Sequence, residues 1–285
     1  MDFTLNEWVR LAGQDSIAVP AIRYQAAESA RTEQQVRDMM LAQLHAMQEA
    51  VVTGMDATLK SVSGLTGGQA VYLQQWLLSG KSLCGNLLGK AEAYAMATAE
   101  CNACMGKIVA APTAGACGIL PGAIIAMMEE RGCTEDQAVD ALFVAAAVAQ
   151  SIAMQASISG AEGGCQAECG SAAAMAAAAL CFLGGGNAQQ CADAAAFALM
   201  NLLGLVCDPV GGLVEVPCVY RNVGSSGVAF TAADMALSGI ACPIDPDEVI
   251  LAMKEVGDAL PPTLRETGEG GCAACPRICK RLQGS

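Results

Sequence analysis

The sequence predicts an all-α fold, and three observations carry that expectation. Helix-start signals recur along the chain, at Thr32-Glu-Gln-Gln35, Thr134-Glu-Asp-Gln137, Asn187 and Asp245-Pro-Asp-Glu248. Two stretches, 141–161 and 169–192, contain no charged residue and are rich in alanine, as expected of helices buried on all sides. Alternating β-branched residues are scarce: only 214–219 and 228–230 read as short extended pieces.

Taken in order, the first 60 residues are the more polar part and read as a helical arm, 1–60. Within it the Thr32 capping box opens a helix to about residue 52, with Met39, Met40, Leu44 and Met47 on one face. A Gly-rich loop follows, Ser61-Val-Ser-Gly-Leu-Thr-Gly-Gly68. Cys101-Asn-Ala-Cys104 falls in an apparent helix, where i and i+3 share a face; without a matching second pair it reads as packing. A second loop, Ala111-Pro-Thr-Ala-Gly-Ala-Cys-Gly-Ile-Leu-Pro121, precedes a long helix from the Thr134 box to about residue 155. The 160–170 loop carries Glu162-Gly-Gly-Cys-Gln166, and Asn187 caps a helix over 188–203. Cys207-Asp-Pro-Val-Gly-Gly-Leu-Val-Glu-Val-Pro-Cys218 is the last Gly/Pro-stiffened loop. Asp245, Pro246 and Glu248 supply an N-cap, a proline at N1 and an acid at N3 for a further helix. No linker, charge run or repeat divides the chain, so 1–285 reads as one domain ending in a Cys-rich tail, 268–285.

Composition narrows the setting. A net charge of −13 and a pI near 4.4 make nucleic acid and anionic membrane surfaces poor partners. The charge-free stretches are long enough to span a bilayer, but Ala and Gly dominate them and Gln150, Ser151, Gln155, Ser157, Asn187, Gln189 and Gln190 interrupt them. No basic segment precedes an apolar one at the start, and the 15 cysteines are better read as reduced thiols of a cytoplasmic protein than as disulfides. His45 is the only histidine, so a scheme needing several imidazoles cannot be built.

Chemistry is concentrated in the loops. Cys165, Cys207 and Cys218 each lie beside Gly or Pro rather than on a helix face. Three such thiolates can bind an iron–sulfur cluster while leaving one iron open, although buried cysteine is also an ordinary small apolar residue. The 61–68 and 111–121 loops expose backbone N–H groups, with hydroxyls at Ser61, Ser63, Thr66 and Thr113, suited to a small carboxylate. Neither has a nucleotide-binding glycine pattern, and tight helix-capping turns are the competing reading. Cys272-Ala-Ala-Cys275-Pro-Arg-Ile-Cys279 suits a second cluster, zinc, a mobile thiol or an exposed tail.

Together these loops resemble the α chain of the iron–sulfur-dependent L-serine dehydratases (L-serine ammonia-lyases). The resemblance runs from about residue 5 to 271 and rests on Ser61–Gly68, Glu100 with Asn102, Ala110 to Gly122, Gly160-Ala-Glu-Gly-Gly-Cys-Gln-Ala-Glu168, and Cys207–Cys218 with Arg221-Asn222. It implies a [4Fe–4S] cluster on Cys165, Cys207 and Cys218, in an oxygen-sensitive enzyme of amino-acid degradation and gluconeogenesis. It implies L-serine as substrate, losing water and ammonia to give pyruvate, with the open iron acting as Lewis acid on the hydroxyl. The substrate seat would use Ser61, Ser63, Gly64, Thr66, Gly67, Gly68, Asn102, Thr113 and Gly115, with Glu162 and Lys107 nearby to buffer charge. Other members carry a β region, fused or separate, so a β-chain partner in an oligomer is implied. Where the family ends in Gly-Gly-Leu-Ala, this chain has Gly270-Gly-Cys-Ala. Cys279 could therefore return to the cluster as a fourth ligand or plug. The Cα base is unassigned; the partner chain, a serine or a lysine are the alternatives. The same cluster chemistry on L-cysteine or another β-substituted amino acid, or a non-catalytic iron–sulfur electron-transfer protein, are the competing functions.

Overall fold

The computed structural model, which describes residues 3–283, contains thirteen helices and no strand among those residues. In order these are α1 (Leu5–Ala12), α2 (Ala18–Glu28), α3 (Glu33–Gly54), α4 (Ala70–Leu78), α5 (Gly85–Ala103), α6 (Ile119–Arg131) and α7 (Glu135–Gln155). They continue as α8 (Gly160–Gly163), α9 (Ser171–Leu183), α10 (Ala188–Leu202), α11 (Cys218–Leu237), α12 (Pro246–Ala259) and α13 (Pro276–Gln283). Capping chemistry sets several starts. Thr32, Thr134 and Asn187 each accept from the N3 amide, and Gln35, Gln137 and Gln190 reach back in complete capping boxes. Asp245 accepts from the Asp247 N–H with Pro246 at N1.

Alanine sets the packing distance. In α9 (SAAAMAAAALCFL) nearly every side chain is buried, and the helix is surrounded by α6, α7, α10 and α11. A methyl side chain lets neighbouring axes approach closely and loses no rotamer entropy on folding. Both α7 and the 166–183 segment are long and apolar enough to cross a membrane, but most of each is covered by other helices of the fold.

Residues 3–60 share this core: Leu5, Trp8, Ile17 and Leu44 are buried in the same cluster as the α9 alanines. Asp247 pins the first helix to the body. Its carboxylate accepts the Leu5 and Asn6 amides (2.7 and 2.9 Å) and the Gln155 side chain (2.8 Å).

Two expectations fail. The 228–230 piece lies inside α11, where Val228 and Phe230 pack against the helical core, and 214–217 forms a bend and turn with Val214 exposed. Tertiary packing overrides their local preference. Met39 is half-exposed, so the buried face of α3 runs through Val36, Leu44, Met47 and Val51 instead.

Candidate active site at the cysteine loops

Three separate elements deliver the loop cysteines. Cys165 immediately precedes a π-helical turn, Gln166–Gly170, that leads into α9. Cys207 sits in an extended segment, where its N–H donates to Leu264 O (2.9 Å) and its carbonyl accepts from Glu266 N–H (2.8 Å). Cys218 is the first residue of α11. All three thiols are buried.

Their electrostatics differ. Burial, with the charge of Cys165 as the next cause, pushes Cys218 up to about 12 and raises Cys207 as well. Cys165 is held below the ordinary thiol range, chiefly because the Cys169 thiol donates to it across 3.4 Å and secondarily because of Arg221. Burial opposes the Arg221 charge, but Cys165 and Asp208 outweigh it and raise its pKa. Arg221 Nη1 donates to Val206 O (2.7 Å), while Nη2 stands 2.8 Å from Asp208 Oδ1, close but not aligned as a hydrogen bond.

Three buried or half-buried acids tie the loops together. Glu215 accepts from Ser61 Oγ (2.6 Å), from the Ser63 amide (3.0 Å) and from the Ser63 hydroxyl. Glu100, in the Ala-rich run of α5, accepts from Thr66 Oγ1 (3.0 Å) and from the amides of Gly67, Gln69 and Ala70 (2.9–3.1 Å). The seat that the sequence suggests for a carboxylate thus already holds two carboxylates of the chain itself. Glu168 accepts from Thr113 Oγ1 (2.8 Å) and lies 3.8 Å from Cys207 Sγ; burial raises its pKa. Gly160 makes room for this contact, since a Cβ there would lie 2.7 Å from Glu168 Oε2 and 3.0 Å from Cys207 Sγ. Asn222 closes the ring, accepting from Gly118 N–H (2.8 Å) and donating to Gly115 O and Cys218 O (2.7 and 2.9 Å).

The structure therefore brings the 61–68, 113–118, 165–169 and 207–218 segments to one place. Other candidates lie differently. Lys107 is exposed, 4.0 Å from Glu49, and Glu162 accepts from Ser157 Oγ (2.6 Å) at the surface. Asn102 is half-buried near the end of α5, two residues past Glu100. His45 pairs with Glu135 (3.1 Å) on the exposed side of α3. The Cys279 thiol donates to Ala273 O (3.1 Å), and Cys272 and Cys275 are exposed. The tail is nevertheless docked beside the Cys207 loop, because the Cys272 N–H donates to Asp208 Oδ2 (2.6 Å).

Sequence reasoning assigned no role to Glu215, Glu100, Glu168, Cys169, Arg221 or Asp208. Glu100 stands out in the sequence only through the resemblance; its role follows from its being the fully buried acid of an alanine-rich helix, where an unpaired charge is costly. The partners of the others come from distant segments that no local pattern connects.

The donor set fits an iron–sulfur cluster. Two of the three thiols resist ionisation where they stand, so a positively charged iron core would relieve what burial and mutual repulsion impose. Among the described residues no three His, Cys, Asp or Glu side chains converge around a point suited to a single metal ion. A multi-iron cluster demands something else, since its cysteines bind different irons.

An all-helical domain with a thiol-lined, carboxylate-braced loop site is the class this geometry defines. The profile of the family described as "Serine dehydratase alpha chain" matches residues 14–273, and the chain belongs to that family of enzymes. It is 51% identical over 246 residues to the probable L-serine dehydratase, alpha chain, of Bacillus subtilis, covering 86% of this chain and 82% of that one. Against the L-serine dehydratase, alpha chain, of Peptoniphilus asaccharolyticus the identity is 44%, covering 85% and 83%. L-serine dehydratase TdcG of Escherichia coli is 40% identical over 210 residues, covering 72% of this chain but only 46% of the longer relative.

Proposed function

We propose that this chain is the catalytic α chain of a [4Fe–4S]-dependent L-serine ammonia-lyase, converting L-serine to pyruvate and ammonia. The observation that carries the reading is the convergence of the Cys165, Cys207 and Cys218 loops on the two Gly-rich loops through Glu168, Glu215 and Asn222. The family membership and the printed names of the relatives supply the substrate.

Cys165, Cys207 and Cys218 would hold the cluster, with Cys279 as a candidate fourth ligand or plug in the resting protein. When bound, such a cluster supplies a Lewis-acidic iron for the departing serine hydroxyl. The chain's own residues position the rest. Ser61, Thr66 and Gly67 are committed to Glu215 and Glu100 and fix the loop's shape together with Gly64 and Gly68. Ser63 and Thr113 are the half-exposed hydroxyls, and they would exchange their internal acceptors for the substrate carboxylate, near Gly115 and Asn102. Exclusion of water by the buried loop walls strengthens each of these contacts. Loss of water gives an aminoacrylate, which tautomerises and hydrolyses to pyruvate and ammonia.

A β chain completes the enzyme in this reading, since relatives of about this length are named alpha chains whereas TdcG, named without a chain designation, is about one and a half times as long. A cytoplasmic location and a role in amino-acid degradation follow. The test is an anaerobic assay after iron and sulfide reconstitution, with and without the β chain, on L-serine and L-cysteine. Pyruvate from L-serine that disappears on prolonged air exposure is the expected result. A reconstituted complex that makes no pyruvate from L-serine, or one that works undiminished in air without iron, overturns the reading.

A further inference from the structure

The segment between Asp56 and Glu92 contains no Asp or Glu, in a chain with 28 of them, and it carries Lys60, Lys81 and Lys90. Other acid-free stretches of this chain build its core, but this one includes the exposed helix α4, AVYLQQWLL, of which only Ala70 is buried. Tyr72 and Trp76, four residues apart and so on one face, are 69% and 51% exposed; Leu78 and Leu83 beyond them are 78% and 99% exposed. Among the described residues α4 packs substantially on α5 alone. Tyr220 extends the face, its hydroxyl donating to Gln69 Oε1 (3.1 Å), and Lys81 caps it 5.7 Å over the Trp76 ring. An apolar patch with aromatic anchors and Lys81 at its edge, on an otherwise acidic molecule, is the signature of an interface.

We propose that this α4 face docks the companion chain, a polypeptide corresponding to the portion of the longer relatives that lies outside their match to this chain. The proposal rests on the β-chain reading above and gives it a surface. Charge selects the occupant. A two-fold contact centred on α4 would set Lys81 of each copy against the acid-free 57–91 segment of the other, whereas a different chain can present acids to it. Position gives the contact a consequence: the amides of Gln69 and Ala70, which open α4, are held by Glu100, the same carboxylate that holds Thr66 and Gly67 of the candidate substrate loop. A chain seated on α4 therefore bears on the loop through one side chain.

The experiment uses the full chain and the companion chain of the same organism, purified separately and mixed anaerobically, with association measured by calorimetry and sedimentation. Trp76→Glu and Leu78→Glu, both at exposed positions, are expected to weaken association at least tenfold while leaving the circular dichroism and melting temperature of the α chain unchanged. Leu251→Glu, an exposed apolar position on α12, serves as control and is expected to associate like wild type. Association of both α4 variants with wild-type affinity overturns the surface while leaving the β-chain reading intact. Absence of any association by the wild type overturns both. Self-association of the α chain that Trp76→Glu abolishes assigns the face to a second copy and overturns the proposal.

Discussion

Two sets of three cysteines stand side by side in this molecule and live under opposite rules. Cys165, Cys207 and Cys218 come from segments far apart in sequence, are buried, and are locked by buried acids and Asn222. Cys272, Cys275 and Cys279 come from one short segment, two of them exposed, and the third is bonded only to its own turn at Ala273. The tail set has the more familiar spacing, and the scattered set is the one we propose as the cluster site. Our proposal therefore weighs burial, the meeting of distant loops and the mutual repulsion of the thiols above spacing.

The contrast is sharpened first by substitution. Cys165→Ser, Cys207→Ser and Cys218→Ser are each expected to reduce reconstituted iron, acid-labile sulfide and lyase activity to background, whereas Cys272→Ser and Cys275→Ser retain all three. Iron lost equally from the tail variants would erase the distinction. Bracing comes next. Glu100→Ala strands a hydroxyl and several amides around a buried hole, and is expected to cost about 3 kcal/mol in urea denaturation. Glu215→Ala is expected to cost about 2 kcal/mol by the same logic, with a rise in KM for L-serine as the 61–68 loop loosens.

A pH measurement probes Glu168. Its pKa is raised, chiefly by burial, so its contribution to stability is present below the unfolded carboxyl pKa and is lost as pH rises through the folded value. Glu168→Gln in the cluster-free chain should therefore have a higher urea midpoint than wild type at pH 7.5, with the gap closing toward pH 4. An unchanged gap across that range would mean that the group is solvated. The smallest effect belongs to the tail. Gly271 has φ +58° and its Cα faces the Asp208 carboxylate, so Gly271→Ala is expected to lift the tail at a cost of about 1 kcal/mol, leaving iron content unchanged.

What was legible in the sequence was local. Thr32, Thr134, Asn187 and Asp245 announced helix starts because a cap and its partner lie within three residues of each other. The alanine runs announced burial for the same reason. The internal carboxylates were not legible: Glu215 meets Ser61 across 154 positions, and nothing around either residue signals the other. That pairing changes how the 61–68 loop is understood, from an open anion seat to one held in shape from within. The 228–230 misreading has a related cause, since Val228 and Phe230 say nothing about which helix will cover them.

The alanine core has one more consequence. The alanine side chains that fill most of the first ten positions of α9 have no rotamer to switch into, so that stretch relays little by repacking. Any communication between the loops at its two ends must travel as displacement of a whole helix, like a rod rather than a chain of tumblers. Methyl relaxation measurements on alanine-labelled protein would register such motion as one collective process shared along α9.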